Sequence, residues 1–335
     1  METYKQLIVI TGASGRVGGR LAQNLLRKNF RVRAVSRDIA KLKHLKDAGA
    51  ELIQSALNDV ETLSNAFQDA HAVFLLTPLN LHSENLNDEQ RKNIAGMIQA
   101  ISNSGVKNIV LLSSWGAELT SNSGGILGCH IFEKELDKIG GLNCLIMRPV
   151  WFMENFLYNI ELIKMSGING FAIAPEKRFP MVAAADIADF AATSLAEKIA
   201  TGKQVIYLKC SLEYSMREVT SVLGKAVGKS DLAYLEFPQK VLKQGLTGSG
   251  ALSPDAADMF MEINAAISKG VVAVPEGAFV HYTPTTLDEF AKNQFAPAYD
   301  KSAKPSLLRR ASGVSLRLFL LFAGQGLLRK QEAAV

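Results

Sequence analysis

A short apolar run, Leu7-Ile8-Val9-Ile10, breaks directly into Thr11-Gly12-Ala13-Ser14-Gly15-Arg16-Val17-Gly18. The glycines are spaced G-x-x-G-x-x-G, and a stretch with helical apolar periodicity follows. Each glycine then has a task. Gly12 permits the tight turn out of the strand, Gly15 lets the backbone approach a pyrophosphate without a Cβ in the way, and Gly18 lets helix and sheet pack closely. The helix start offers N–H groups and the positive end of a dipole to phosphates. The expected use is dinucleotide binding at Gly12, Ala13, Ser14, Gly15, Arg16 and Val17; a purely structural strand-to-helix turn is the alternative.

The pattern that follows supports a sheet around this turn. β-rich runs at 7–10, 32–35, 51–54, 72–76, 109–112 and 143–147 alternate with helical stretches to about 28 and at 39–48, 60–67, 89–102 and 131–139. The run Ala72-Val73-Phe74-Leu75-Leu76 does not alternate, as expected for a strand covered on both faces. Repeated βα units predict a Rossmann-type, doubly wound parallel α/β sheet that binds ligands beyond the carboxyl ends of its strands. The expected domains are a dinucleotide-binding domain over 1–150, a smaller C-terminal α+β substrate lobe over 151–299 and a tail over 300–335. In the lobe, helices are expected at 184–197 and 216–227, strands at 205–208 and 232–237, and helix over most of 241–269. The Thr286-x-x-Glu289 spacing predicts a capping box.

Composition narrows the class further. Three scattered cysteines in 335 residues, without a C-x-x-C pair, fit neither a disulfide scaffold nor a zinc knuckle, and no metal-ligand cluster stands out. A reducing, cytoplasmic location is expected, since the first apolar run is too short for a secretory core and no run reaches the ~18 residues of a spanning helix. The tail carries seven basic and two acidic residues, which is the whole net charge of +5. The body is neutral, which argues against nucleic-acid binding. Leu307, Ala311, Val314, Leu318 and Leu321 recur at helical spacing in the tail. That segment, 303–330, is expected to dock on the body or mediate a homodimer, with an anionic membrane surface as the second choice.

The end of the second strand bears on the nucleotide. An NAD site usually carries Asp or Glu there; this chain has Ser36-Arg37, and Arg37 suits a 2′-phosphate. NADPH is expected over NADH, with Arg16 adding charge nearby. Asp38 could instead pair with Arg37. Thr77, Pro78 and Ser113 end the fourth and fifth strands, where the rest of the nucleotide should lie.

Together, VITGASGRVG (9–18), VSR (35–37), FLLTP (74–78), VLLSS (110–114), RPVWFMENF (148–156), ADIADFA (185–191) and TPTTLDEF (283–290) resemble the NmrA-like branch of the atypical short-chain dehydrogenase/reductases, over about residues 5–299. The resemblance implies the fold and an NADPH preference. It leaves the substrate open, because that branch includes quinone and dye reductases, imine-reducing enzymes and non-catalytic redox sensors. The superfamily's Tyr-x-x-x-Lys pair corresponds to His130 and Lys134, and Ser113 is the third catalytic candidate. Where the family often has Gly-Asp-Leu at the adenine, this chain reads Ser55-Ala56-Leu57-Asn58-Asp59, so Leu57 is left to pack on the ring. Trp151, Phe152, Met153 and Phe156 either roof a cleft for a flat substrate or belong to the core. The expectation is an NADPH-dependent reductase of a small carbonyl- or quinone-type substrate; the alternative is a non-catalytic NADP(H)-sensing regulator.

Overall fold

A computed structural model describes residues 5–197, 199 and 201–303. The tail expectation from residue 304 onward lies outside the described residues.

The first half runs β1 (Lys5–Ile10), α1 (Arg16–Arg27), β2 (Phe30–Ser36), α2 (Lys43–Asp47), β3 (Glu51–Gln54), α3 (Val60–Phe67), β4 (Ala72–Leu76), α4 (Leu86–Ser104), β5 (Asn108–Leu112), α5 (Leu127–Asp137) and β6 (Asn143–Pro149). The second half contains β7 (Trp151–Phe152), α6 (Ile160–Ser166), β8 (Ile168–Phe171), β9 (Arg178–Val182), α7 (Ala184–Ala196), β10 (Lys203–Cys210), β11 (Glu213–Ser215), α8 (Met216–Ala226), β12 (Ala233–Glu236), α9 (Gln239–Gly248), α10 (Pro254–Ser268), β13 (Val280–Thr283), α11 (Leu287–Phe290) and α12 (Ala296–Lys301).

Local chemistry explains several boundaries. α1 buries Val17, Gly18, Leu21, Ala22 and Leu25, one stripe at helical spacing. Its two leucines and Val17 each contribute about 1.5–3 kcal/mol of apolar burial. The stretch expected as a single helix over 39–48 starts instead as a 3₁₀ turn, Ile39–Leu42, capped by the Asp38 carboxylate on Ala40 N–H. α5 starts at Leu127, earlier than the apolar pattern suggests; its Gly128 lies against the Gln90 side chain, where a Cβ would stand 2.5 Å from Gln90 Cδ.

Eight strands form one sheet in the order β13-β10-β6-β5-β4-β1-β2-β3, and the recorded pairings are parallel. The chain winds outward from β1 through β2 and β3, then returns to β4 on the other side of β1. The order therefore reverses between β1 and β4, and doubly wound sheets bind ligands beyond the carboxyl ends of strands at such a point. Ile8, Val9 and Ile10 are fully buried, which is why β1 reads as a continuous apolar run.

Two compact units divide the chain. Of the described residues, one comprises those up to Phe152, Pro180–Ser211 and Lys243–Pro284; the other comprises Met153–Phe179, Leu212–Leu242 and 285–303. The stretch expected as a lobe over 151–299 is thus shared between them. The reason is strand pairing: β10 runs beside β6 from Lys203↔Cys144 to Leu208↔Pro149, and β13 pairs with β10. Within the second unit β12 pairs with β8, and Asn169 is fully buried with its amide on Thr220 Oγ1 at 2.8 Å. Met153 and Phe156 are fully buried there, with Phe156 edge-on to Phe171 at 5.8 Å, so these two are core residues. The Thr286–Glu289 capping box forms as the sequence predicts.

Candidate functional site

The glycine turn sits at the carboxyl end of β1, beside the point where the strand order reverses. Thr11 ties it to the neighbouring strand, since both its N–H and its hydroxyl donate to the Phe74 carbonyl at 3.0 Å. Gly12 has φ +63, in the left-handed region that suits glycine, and a Cβ on it would stand 2.8 Å from Leu76 Cδ2. A Cβ on Gly18 would stand 2.9 Å from the Gly12 carbonyl carbon, so helix start and turn are in backbone contact. Ala13 is buried with its N–H on Val35 O at 3.3 Å, and Val17 is buried, whereas Ser14 and Arg16 are exposed. Gly15 is the N-cap of α1. It provides no side-chain cap, and no acidic residue lies in the first turn. The positive end of the helix is therefore left without a charge partner from its own turn, as an anion site requires.

Two further observations fit a nucleotide here. Thr77, just beyond β4, has a buried hydroxyl with no hydrogen-bond partner among the described residues. A buried polar atom left unpaired is costly unless something else satisfies it. Arg37, just beyond β2, is exposed, and its guanidinium has no ion-pair partner among the described residues. The alternative Arg37–Asp38 pair is not formed, because Asp38 caps Ala40 N–H and lies 3.6 Å from Lys41 Nζ. Ser36 donates to Ser14 Oγ at 3.2 Å, joining the end of β2 to the glycine turn. Pro78 is partly buried beside Thr77. Leu57 is a member of the core cluster, along with Leu63, Ile94 and Met97. Asp59 caps α3 on Thr62 N–H at 3.1 Å, a bond that holds its carboxyl below the ordinary range.

The catalytic candidates fall into two groups. His130 is partly buried, with Nδ1 2.8 Å from the Ala117 carbonyl oxygen. Ser113 is buried, and its hydroxyl donates to Glu133 Oε1 at 2.6 Å. Lys134 does not join them. Its side chain is exposed and its ammonium lies 4.0 Å from Asp137, whose other oxygen takes Lys203 Nζ at 2.7 Å. Lys203 is the first residue of β10, so Lys134 stands toward the opposite edge of the sheet from the strand ends that carry Ser113 and Thr77.

The pattern of candidates missed a network that the fold assembles around Ser113. Arg148, near the end of β6, donates through Nε to Glu133 Oε1 at 3.0 Å and through Nη2 to Glu133 Oε2 at 2.6 Å. Its Nη1 reaches both Glu118 Oε2 at 2.9 Å and the Tyr207 hydroxyl oxygen at 2.8 Å. Tyr207 in turn donates to Glu118 Oε2 at 3.2 Å. Burial by itself would lower the Arg148 pKa, but the hydrogen bonds and charge of Glu133 outweigh it, so the guanidinium is held more firmly protonated than usual. Burial, with Glu118 nearby, raises Tyr207 despite Arg148, which keeps it a neutral phenol. Desolvation and then the Glu133 charge push the Cys129 thiol up to about 12, so it is not a ready nucleophile. One sequence signal was available: Glu133 interrupts the stripe Phe132–Leu136 on the buried face of α5.

A parallel sheet with a glycine-lined, uncapped helix start at its reversal point defines a nucleotide-binding doubly wound protein. The chain belongs to the NmrA-like family, whose profile matches residues 4–291. An NAD(P)H azoreductase of Xenophilus azovorans is 26% identical over 260 residues, covering 77% of this chain and 86% of that protein. The NADPH complex of an NADPH-dependent quinone oxidoreductase of Escherichia coli superimposes with TM-score 0.71 at 24% identity, covering 86% of this chain and 99% of that one. NmrA, a negative transcriptional regulator in complex with NADP, superimposes with TM-score 0.71 at 16% identity over 89% and 98% of the two chains. These structural likenesses establish the fold. Among the described residues no helix is long and apolar enough to cross a membrane.

Proposed function

We propose that this chain is an NADPH-dependent reductase of a small carbonyl- or quinone-type substrate. The observation that carries the reading is the uncapped start of α1, set against Gly12 and flanked by the unpaired buried Thr77 hydroxyl. The azoreductase and quinone oxidoreductase relatives support the reaction class. NADPH, when bound, supplies the hydride; the chain's own residues supply binding, orientation and a proton.

In this reading the first turn of α1 holds the diphosphate, Ala13 and Ser14 line it, and Arg37 with Arg16 meets the 2′-phosphate. Thr77 and Pro78 flank the nicotinamide half, and Leu57 backs the adenine side through its loop. NADH binds more weakly because it offers Arg37 no phosphate. Ser113 commits its proton to Glu133, so its oxygen presents lone pairs and accepts hydrogen bonds. His130 then donates the proton that, with the hydride, completes a two-electron reduction. Lys134, one turn further along α5, is exposed with its ammonium 4.0 Å from Asp137.

The test is NADPH oxidation with a panel of quinones, carbonyl compounds and azo dyes. Turnover on at least one class, reduced in His130→Ala, is expected. NADPH binding without turnover on any of them favours the second reading, a non-catalytic NADP(H) sensor, which the fold shared with the NmrA regulator supports. The basic segment 303–330 adds docking or self-association, with an anionic membrane surface as its second use. Equal pelleting with anionic liposomes, with and without residues 303–335, removes the membrane role.

A further inference from the structure

We propose that Glu118 is a positioning residue that determines which nitrogen of His130 carries the proton. The proposal concerns the same site as the reductase reading and gains its catalytic meaning from it. His130 Nδ1 lies 2.8 Å from the Ala117 carbonyl oxygen. A carbonyl only accepts, so this contact is a hydrogen bond when Nδ1 bears the hydrogen. A neutral imidazole has one N–H. With that hydrogen on Nδ1, Nε2 presents a lone pair, and it becomes a donor only in the imidazolium.

The Ala117 carbonyl is held from both sides. Ala117 is 1% exposed, and its N–H donates to Ser114 O at 3.2 Å. Gly116 before it adopts φ +78, a turn that glycine makes without strain, and Trp115 N–H is fixed on Pro149 O at 3.1 Å. After it comes Glu118, whose Oε2 accepts from Arg148 Nη1 at 2.9 Å and from the Tyr207 hydroxyl at 3.2 Å. The same Arg148 grips Glu133, three residues beyond His130 on α5. One guanidinium therefore ties together the loop that carries the acceptor and the helix that carries the imidazole. Glu118 acts on His130 only through the Ala117 peptide. Ser113 and Tyr207 both donate hydrogen bonds to these carboxylates, at 2.6 and 3.2 Å, so the lone pair of His130 Nε2 is the position that takes up a proton and passes it on from the imidazolium.

The experiment is ¹⁵N–¹H correlation of the histidine rings in the full chain, without nucleotide, for wild type, Glu118→Ala and Glu118→Gln. In wild type, neutral His130 should show a protonated Nδ1 and an unprotonated Nε2. Glu118→Ala should lower the ratio of Nδ1–H to Nε2–H forms about fivefold, the factor set by one net hydrogen bond. Glu118→Gln, whose amide oxygen still accepts from Arg148 and Tyr207, should restore the wild-type pattern. If Glu118→Ala does not fold, Tyr207→Phe, which removes the other anchor of the Glu118 carboxylate, takes its place with a loss in the same direction. A wild-type ring protonated on Nε2, or a loss variant with an unchanged ratio, overturns the proposal. These spectra are read without turnover, so failure of the reductase reading leaves them decisive.

Discussion

Arg148 meets Glu133 edge-on, its Nε on one carboxylate oxygen at 3.0 Å and its Nη2 on the other at 2.6 Å. The fork matches the carboxylate in plane, which a lysine cannot do. The Glu133 side chain is 5% exposed and that of Arg148 12%. Two charges so far from water are stable only as a pair. Arg148→Ala leaves the Glu133 carboxylate buried without its cation and should destabilise the protein by about 3–5 kcal/mol. The urea midpoint measures this, and an unchanged midpoint would show that the pair contributes nothing to stability.

Arg37→Ala tests the 2′-phosphate assignment. Charge-assisted hydrogen bonds contribute about 1.5–3 kcal/mol each, so NADPH affinity should fall about 10- to 100-fold. NADH affinity should stay within a factor of about two, since that nucleotide has no phosphate for Arg37 to meet. Titration calorimetry with both nucleotides reads the two numbers. Equal losses for both would remove Arg37 from nucleotide selection.

Gly15 and Gly18 should respond differently to alanine. A Cβ on Gly18 lands 2.9 Å from the Gly12 carbonyl carbon and 3.2 Å from Ala13 Cα, both backbone atoms. Gly18→Ala should therefore cost about 1–3 kcal/mol of stability through overpacking. A Cβ on Gly15 has one neighbour inside 4 Å, the Gly12 carbonyl oxygen at 3.2 Å. Gly15→Ala should keep the melting temperature nearly unchanged and weaken nucleotide binding, because the methyl occupies space over the helix start. Thermal unfolding with nucleotide titration separates the two; a destabilised Gly15→Ala with intact binding contradicts the cradle.

Glu218 gives the pH dependence. Its hydrogen bonds from Arg178, at 2.6 and 2.7 Å, and from Ser215 N–H, at 2.7 Å, lower its pKa from 4.5 to about 2. A carboxyl depressed on folding contributes stability that is fully present above pH 4.5 and is lost as pH falls through about 2. Arg178→Ala should return Glu218 toward the ordinary carboxylate range and move the onset of acid unfolding to higher pH. Carbon-detected NMR titration of the Glu218 carboxyl follows the first effect and circular dichroism the second. A carboxyl that still titrates near 2 in the variant would assign the depression to the Ser215 capping box alone.

Much of the nucleotide half was legible because its signals are local. The strands at 51–54 and 72–76 and the helix at 60–67 coincide with β3, β4 and α3. Apolar runs and caps act over a few residues, so neighbours in the chain carry the information. The Thr286–Glu289 box is the same kind of signal. The i, i+4 spacing of His130 and Lys134 describes neighbours on an ideal helix surface; the fold adds what it cannot encode, the Ala117 carbonyl at His130 and Asp137 4.0 Å from the exposed Lys134.

By itself, the sequence determined the βα order, the glycine turn at residues 12–18 and the basic residue at the end of β2, since each depends on a few consecutive residues. Tertiary structure alone decided that Arg148, Glu133, Glu118 and Tyr207 meet, and that His130 faces the Ala117 carbonyl. The pairings Leu112↔Met147 and Arg148↔Tyr207 bring residues up to 59 positions apart to one edge of the sheet. Strand register is set by the packing of the whole sheet, so no local pattern encodes which charges it brings together.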